Sequence, residues 1–373
     1  MLRGIHFPGN PGLPEIQAIC HVPQGDIMKT MELLKNTLES IPITTSWYMS
    51  AIDEFKGKHE IYNKQSPEKL EHMEKHALIE SSISSNRMEG AHIARSRIET
   101  VVFGNSILKG RDEEEVHGYQ KALTWVHEQH DKIEINIDTI LELHKMIRIG
   151  NSDAGKWKNK NSNTIEKLSN GKPIDGYKSP GPDESIALLK KSIELWNEQI
   201  NKKRIPPLIL MAAFNFDFLC IHPFQDGNGR VSRLLLLLQL YKLGYDIGRY
   251  ISIERLIEEN KDRYYESLQK SSEGWSESKN SIWAYTNFLL FILKEAYNEM
   301  EIRLENLPDN YRSKTYIIMN FVNNYMGQFS ITKIKYYLPG VGMDLIRNIL
   351  KELQKEGKIR NLGRGINAKW IKL

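Results

Sequence analysis

The chain has 373 residues, a formal net charge of +4, 40% hydrophobic and 26% charged residues, which predicts a soluble globular protein of two or three domains. No run approaches the roughly 20 apolar residues of a membrane span, and the N-terminus lacks the pattern of a secretory signal. Cys20 and Cys220 stand among apolar residues, which predicts free thiols in a reducing, cytoplasmic compartment.

Helical spacing of apolar residues up to residue 304 predicts an all-α body. Residues 1–26, rich in Pro and Gly, are expected to run extended before a helix that begins near Ile27. Ser66 is the predicted cap, and Pro67 the first residue, of a helix that ends near Met88. Further helices are predicted over residues 116–129, 135–149, 183–200, 207–219, 230–243, 253–271 and 280–304. Helix 207–219 is apolar almost all round, which places it at the centre of a domain.

Between two of these helices lies the segment His-Pro-Phe-Gln-Asp-Gly-Asn-Gly-Arg over residues 222–230, followed by Arg233. Its glycines permit positive φ and a close approach of a ligand to the backbone. A helix is predicted to begin near Arg230, where its first N–H groups favour an anion and both arginines share one face. The segment thus combines a histidine, a carboxylate, two arginines and free backbone donors. This combination indicates a site for phosphate groups together with a divalent cation.

Two plainer interpretations of this segment compete with a phosphate site. Asp-Gly and Asn-Gly pairs are common hairpin turns, although the flanks here are helical and not alternating. A single histidine beside a helix end, such as His222, is more often structural than catalytic.

The segment resembles the Fic family signature, His-Pro-Phe-x-(Asp/Glu)-Gly-Asn-Gly-Arg-x-x-Arg, and every specified position is present. Residues 115–123 resemble an early Fic helix and residues 260–268 the stretch downstream of the signature, so the resemblance covers roughly residues 70–300. It implies a mainly α fold, a Fic-type helical domain with a β-hairpin flap. It also implies a protein adenylyltransferase that moves AMP from ATP to Ser, Thr or Tyr hydroxyls of a target protein or of itself.

The resemblance implies a role for each residue of the segment. His222 would be the general base that deprotonates the attacking hydroxyl, and Asp226 would hold Mg²⁺. The residues implied to bind the ATP phosphates are Gly227, Asn228, Gly229, Arg230 and Arg233. Glu259 and Asn260 are expected near the adenine, and a solvated helix end explains these two residues equally well.

Ser85 and Glu89, followed by Gly90, resemble the inhibitory motif (Ser/Thr)-x-x-x-Glu-(Gly/Asn) of Fic proteins with an N-terminal inhibitory helix. The resemblance implies that Glu89 pairs with Arg233 and takes the donors that the γ-phosphate needs. The plainer interpretation is ordinary capping at a helix end.

Residues 151–177 occupy the place of the family's flap, a hairpin that receives the target protein by strand addition, with Ile165 and Ile174 as its expected clamp. The sequence departs from the family pattern nearby. The common Gly-x-(Tyr/Trp)-Arg ends here in Lys158, Asn215 stands where histidine is frequent, and the usual Pro-Pro run appears as Ser-Pro-Gly-Pro over residues 179–182. These departures leave the chemistry intact and bear on target recognition.

Residues 308–373 carry twelve Lys and Arg against four Asp and Glu, a net charge of +8. A helix capped by Ser330, a second over residues 343–356 and a two-stranded wing after it resemble a winged helix. DNA binding is one interpretation of this basic module, and protein docking or formation of a homodimer is the other. The predicted domains are residues 1–66, 67–305 and 308–373.

Three hypotheses for function follow from these patterns. The first is the adenylyltransferase, and the second is a nucleic-acid-binding regulator whose Fic domain senses nucleotide. The third is a Fic enzyme that uses another phosphate donor or removes AMP. The intact His222 and Arg233 favour the first, since a pure sensor needs no base.

Overall fold

The body of the protein is a bundle of twelve α-helices among the residues that can be placed. The computed structural model describes residues 30–37, 40–65, 67–104, 107–161, 179–306, 314–325, 328–338, 341–363 and 368–373. The helices of the body are α1 (Thr30–Thr37), α2 (Ile43–Gln65), α3 (Pro67–Met88), α4 (Ile98–Phe103), α5 (Arg111–Gln129), α6 (Ile137–Ile147), α7 (Pro182–Lys202), α8 (Pro207–Ile221), α9 (Asn228–Lys242), α10 (Ile253–Glu259), α11 (Lys261–Ser272) and α12 (Trp283–Asn306). In this part of the chain no helix has the length and apolar character needed to cross a bilayer.

Helices α8 and α9 lie at the centre of the body, which confirms the prediction made from the apolar helix at 207–219. Nearly all residues of both helices are buried. A helix that is apolar on every side needs neighbours on every side, and α1, α7 and α12 pack on α8 while α5 and α6 pack on α9. The connection between these two central helices is the signature segment, so the fold holds that segment on a rigid support.

The two N-terminal helices belong to the same hydrophobic core. Met31, Leu34 and Ile52 are buried in the cluster that contains α8 and α9. The fully buried carboxylate of Asp217 accepts hydrogen bonds from the backbone N–H groups of Thr30 (3.2 Å) and Met31 (3.3 Å), which start α1. A buried acceptor therefore satisfies N–H groups that a helix start leaves unpaired.

Several predicted helices match the structure closely, and others differ. Helix α3 begins and ends as predicted, while α9 begins two residues earlier than expected, at Asn228. The single helix predicted over 253–271 is wrong, because Asn260 ends α10 by donating from its side chain to the Leu256 carbonyl (2.9 Å). Helices α2 and α4 were not predicted, since neither shows a clean apolar period.

The C-terminal module has its own core. It contains α13 (Lys314–Asn324), α14 (Ile331–Tyr337), α15 (Met343–Lys355), β1 (Ile359–Asn361) and β2 (Trp370–Lys372). The two strands are antiparallel, and a separate bridge joins Phe329 to Trp370. The Ser330 hydroxyl accepts from the Lys333 backbone N–H (3.1 Å), so the predicted cap is present. The order of helices followed by two antiparallel strands is the one predicted from the sequence. The assignment of the module as a winged helix stays a prediction.

Some predicted features lie outside the described residues. They are the extended segment 1–26, Cys20, the Ser66 cap and the flap clamp residues Ile165 and Ile174.

Candidate active site

His222 ends α8 in the left-handed conformation, with φ 50° and ψ 62°. This region is uncommon for a residue with a side chain, and the following Pro223 disfavours continuation of the helix. The half-buried imidazole has a pKa lowered to about 4, first by burial and then by the positive charge of Lys158. The ring is therefore neutral at physiological pH and able to accept a proton.

The signature loop is held by Phe224, which lies between two rings. His144 stacks on it with centroids 3.8 Å apart, and Trp157 stacks at 5.0 Å. The Asn228 side chain accepts from the Phe224 backbone N–H (3.0 Å) and donates to the Phe224 carbonyl (2.8 Å). Since these bonds engage both ends of the Asn228 amide, a contact of this residue with phosphate would come from its backbone.

His144 orients the loop by a second route. Gly155 N–H donates to its Nδ1 (3.1 Å), so Nε2 carries the proton and donates to the Asp226 carbonyl (3.0 Å). Burial lowers the pKa of His144 to about 4, and the ring stays neutral in this pair of bonds. No sequence pattern pointed to this histidine.

The loop ends in the N-terminus of α9. Gly227 is the residue before the helix, with φ 87°, and a Cβ there would lie 3.2 Å from Ile147 and 3.4 Å from His144. The N–H groups of residues 228–230 belong to the first turn, where an α-helix has no internal acceptors for them. The dipole and these donors make this helix start suitable for an anion.

Two carboxylates share three arginines beside the loop. Asp226 accepts from Arg148 (2.7 Å), Arg111 (3.1 Å) and Arg230 (3.4 Å). Glu115 accepts from the same three side chains at 2.9, 2.7 and 2.7 Å. Glu115 is 4% exposed and Arg230 only 1%, so both are core residues of the cluster.

Asp226 is the solvent-accessible carboxylate of this cluster, and its side chain is 42% exposed. Burial pushes the pKa of its carboxyl up, but the charges of Arg230, Arg148 and Arg111 outweigh burial and lower the pKa below its usual value. An ionised, accessible carboxylate beside a helix start suited to an anion fits Mg²⁺, which commonly takes one protein carboxylate and completes its shell with phosphates and water. Among the described residues no group of three His, Cys, Asp or Glu could hold a metal without such help.

Arg233 is engaged by both residues of the predicted inhibitory motif. Its Nε donates to the Ser85 hydroxyl (2.8 Å), and its Nη2 donates to the Ser85 carbonyl (2.9 Å) and to Glu89 Oε1 (2.7 Å). Burial by itself would lower the pKa of the Arg233 guanidinium, but the Glu89 charge and hydrogen bond, together with Tyr119 and Tyr264, raise the pKa above its usual value. The Glu89 carboxylate also touches Gly229 so closely that a Cβ at Gly229 would clash with it. Glu89 therefore lies over the first turn of α9.

Helix α3, which Glu89 directly follows, is fixed to the body by polar contacts. The Ser81 hydroxyl donates to the buried carboxylate of Glu254 (2.7 Å). Arg87 pairs with Glu258 (3.3 Å). These contacts join α3 to α10, so Glu89 stands at the end of a helix anchored along its length.

Glu259 and Asn260, predicted near the adenine, lie at the edge of this arrangement. Glu259 is exposed and pairs with Arg255 (2.8 Å). The neighbouring Lys261 donates to the Met88 carbonyl at the end of α3 (3.4 Å), which brings the start of α11 close to Glu89. Their role at the adenine stays a prediction.

The structure thus brings together the predicted residues of the loop, of α9 and of the inhibitory motif. It adds five charged or aromatic-stacking side chains that were not predicted as site residues: Arg111, Glu115, His144, Arg148 and Lys158. Of these, Glu115 and Lys158 stood in stretches compared with the family. Arg111, His144 and Arg148 lie in no sequence motif that would have identified them as site residues.

Several known proteins are similar to this chain in sequence. Residues 134–240 match the sequence profile of the Fic/DOC family. A Drosophila yakuba protein named protein adenylyltransferase Fic is 31% identical over 195 residues, which are 52% of this chain and 36% of that protein. The chain therefore spans little more than a third of that relative's length.

Solved structures share the fold. A Fic family protein from Desulfovibrio desulfuricans G20 is 18% identical, with a TM-score of 0.59 over 90% of this chain and 97% of that one. A Fic-domain signaling protein from Bacteroides thetaiotaomicron is 20% identical, with a TM-score of 0.54 over 68% and 94%. Residues 134–240, which contain the complete signature at residues 222–233, therefore form a Fic/DOC-type domain, and the solved structures share its mainly helical fold.

Proposed function

We propose that this protein transfers AMP from ATP to hydroxyl side chains of a target protein, and that Glu89 restrains the reaction. The observation that carries the proposal is the neutral His222 at the end of α8, next to a helix start with free N–H donors and an ionised Asp226. A base, an anion site and a cation ligand on one rigid loop are what phosphoryl chemistry on a nucleotide requires.

In this mechanism His222 accepts the proton of the target hydroxyl. The hydroxyl oxygen forms a bond to the α-phosphorus of ATP, and the bond from that phosphorus to the oxygen bridging to the β-phosphate breaks. Pyrophosphate leaves, and AMP remains on the target. First-turn N–H groups of α9, from Asn228 to Arg230, hold the phosphates in line for this attack.

The cluster of Asp226, Glu115 and their three arginines holds the loop in a conformation that can bind a nucleotide. Asp226 would hold Mg²⁺, which would neutralise charge on the phosphates. Arg230 is predicted to act on the phosphates as well, although its donors reach Glu115 and Asp226 in this structure. Its contribution to a bound nucleotide is therefore mainly the positive potential that it adds beneath the loop.

The position of Glu89 supports the proposed restraint. Its carboxylate pairs with Arg233 and lies against Gly229, where a γ-phosphate would need the same arginine and the same space. A second negative charge at this point is repelled, so ATP would bind in an unproductive pose while Glu89 stays in place. Removal of the Glu89 carboxylate frees both the guanidinium and the surface of Gly229.

The test is self-labelling with α-labelled ATP. Glu89→Gly is expected to label well above wild type. Glu71→Gly, at an exposed position of the helix α3 that precedes Glu89, is the matched control and should stay at the wild-type level. His222→Ala in the Glu89→Gly background should abolish labelling while ATP still binds.

Equal labelling of wild type and Glu89→Gly would refute the restraint. Labelling that survives His222→Ala would refute transfer at this site. Incubation of wild-type protein with the labelled variant tests whether the enzyme removes AMP from proteins. Release of labelled AMP would support that alternative function.

A second function, duplex DNA binding by the C-terminal module, is supported by a row of exposed basic residues. Arg347, Lys351 and Lys355 are four residues apart along α15 and share its exposed face. The opposite face, which includes Ile346 and Ile349, is buried in the core of the module.

Binding to labelled duplex DNA should weaken steeply with salt, because contacts to phosphates release counterions. A triple Gln variant of Arg347, Lys351 and Lys355 should lose much of this dependence. No binding by wild type at low salt would leave protein docking or dimer formation as the role of the module.

A further inference from the structure

Lys158 contacts the main chain on both sides of His222. Its backbone N–H donates to the Pro223 carbonyl (3.0 Å), just after the histidine. Its ammonium Nζ donates to the Ile221 carbonyl (3.4 Å), just before it. The side chain is 3% exposed, so these contacts are made inside the protein.

The main chain at His222 needs such support. A left-handed conformation at a residue with a side chain persists only where surrounding contacts determine it. The Ile221 carbonyl is also one of the last of α8, and carbonyls at a helix end have no partner within the helix. Here this carbonyl accepts from Lys158 and from the Ser185 hydroxyl (3.2 Å). A cation is favoured at this end of a helix by the dipole.

The ammonium group is itself held in place. Lys158 Nζ donates to the Ser179 hydroxyl (3.3 Å) as well as to Ile221. Burial lowers the pKa of Lys158 to about 8, against the opposing effect of the Glu184 carboxylate. The amine is therefore still mostly protonated at neutral pH.

We propose that Lys158 is a positioning residue for His222, whose backbone N–H and ammonium group bind the two flanking carbonyls and hold the imidazole in place for proton transfer. The inference rests on the proposed function, because it assigns to Lys158 an effect exerted through His222. The lysine stands where the Fic pattern has arginine, so this chain performs the task with one ammonium group on a flexible stem.

The charge of Lys158 has a second consequence for the histidine. Among the charged groups that face the imidazole, Lys158 lowers the pKa of His222, while Glu89 and Asp226 raise it. Replacement of the ammonium by a neutral group should therefore move the pKa of His222 upward. This gives a measurement that does not depend on turnover.

The experiment uses the full chain in the Glu89→Gly background. Lys158→Met keeps the backbone bond and the length of the stem but removes the ammonium group. Because a small misplacement of a reacting group costs up to about 100-fold in rate, we expect kcat for labelling to fall by about 10- to 100-fold with KM for ATP unchanged. Lys158→Arg should recover most of the rate.

Lys156→Met is the matched control. Lys156 lies two residues earlier, is exposed, and donates from Nζ to the Ser152 carbonyl (2.8 Å). It should keep the parent kcat. The titration of His222, followed by the NMR signals of its ring protons, should shift to higher pH in Lys158→Met and stay unchanged in Lys156→Met.

An unchanged kcat and an unchanged His222 titration in Lys158→Met would overturn the proposal. Equal losses in kcat and in ATP affinity, together with a lower Tm, would also overturn the proposal, because they would indicate a general structural role for Lys158. If Lys158→Met does not fold, Lys158→Gln provides the same comparison. An inactive Glu89→Gly parent would refute the proposed function, while the His222 titration would still test the contact.

Discussion

The negative charge of Glu115 should contribute several kilocalories per mole to stability, because this single carboxylate is the acceptor shared by three arginines. Arg111, Arg148 and Arg230 donate to it over 2.7, 2.9 and 2.7 Å, and the residue is 4% exposed. Glu115→Gln keeps the volume of the side chain. It replaces one acceptor oxygen by an N–H group that faces guanidinium donors.

The magnitude follows from the bonds that the amide cannot make. A hydrogen bond to a charged group contributes about 1.5–3 kcal/mol, and the bond from Arg230 to the second carboxylate oxygen is lost outright. The buried Arg148 also loses an opposing charge, while Arg111 is mostly exposed. Removal of one partner of a buried ion pair costs about 3–5 kcal/mol, so we expect Glu115→Gln to lower the unfolding free energy by ~3–5 kcal/mol.

Urea denaturation followed by circular dichroism measures this loss. Glu71→Gln is the matched control, since Glu71 is exposed and pairs with Lys75 on the same helix (3.1 Å). Such a pair contributes at most about 0.5 kcal/mol. A loss below about 1 kcal/mol in Glu115→Gln, with an unchanged denaturant slope, would mean that the cluster is not held by this charge.

Three further predictions concern acid stability, the loop and the module. His144 is fully buried with its pKa lowered from 6.5 to about 4, so the fold favours the neutral ring, and stability should fall as pH drops from about 6.5 to about 4. In urea denaturation at a series of pH values, the free energy of unfolding should fall less steeply for His144→Gln than for wild type. An equal fall in the two proteins would mean that another group causes the acid sensitivity. Asn228→Ala leaves the Phe224 backbone N–H and carbonyl unpaired, so denaturation should show a loss of ~2–4 kcal/mol, and a loss under about 1 kcal/mol would contradict the role of this amide. Removal of residues 308–373, whose core is separate, should leave a soluble protein that still labels in the Glu89→Gly background, whereas an insoluble or inactive product would make the module part of the catalytic body.

Local sequence patterns were sufficient for several features of this protein. The Pro67 start of α3, the Ser330 cap and the strands of the C-terminal hairpin each depend on interactions within a few residues. The signature segment is equally local, because its glycines, its histidine and the helix start after it lie within twelve positions. The sequence also indicated the pair of Glu89 and Arg233, but only through resemblance to a family.

Tertiary structure alone decided the surroundings of that segment. Arg148 reaches Asp226 across 78 positions, and Arg230 reaches Glu115 across 115. Spacing along a helix reports only which residues share a face, and it contains no information on which distant face will pack against it. The ionised state of Asp226 and the tautomer of His144 depend on those distant partners, so they become visible only when the helices are packed together.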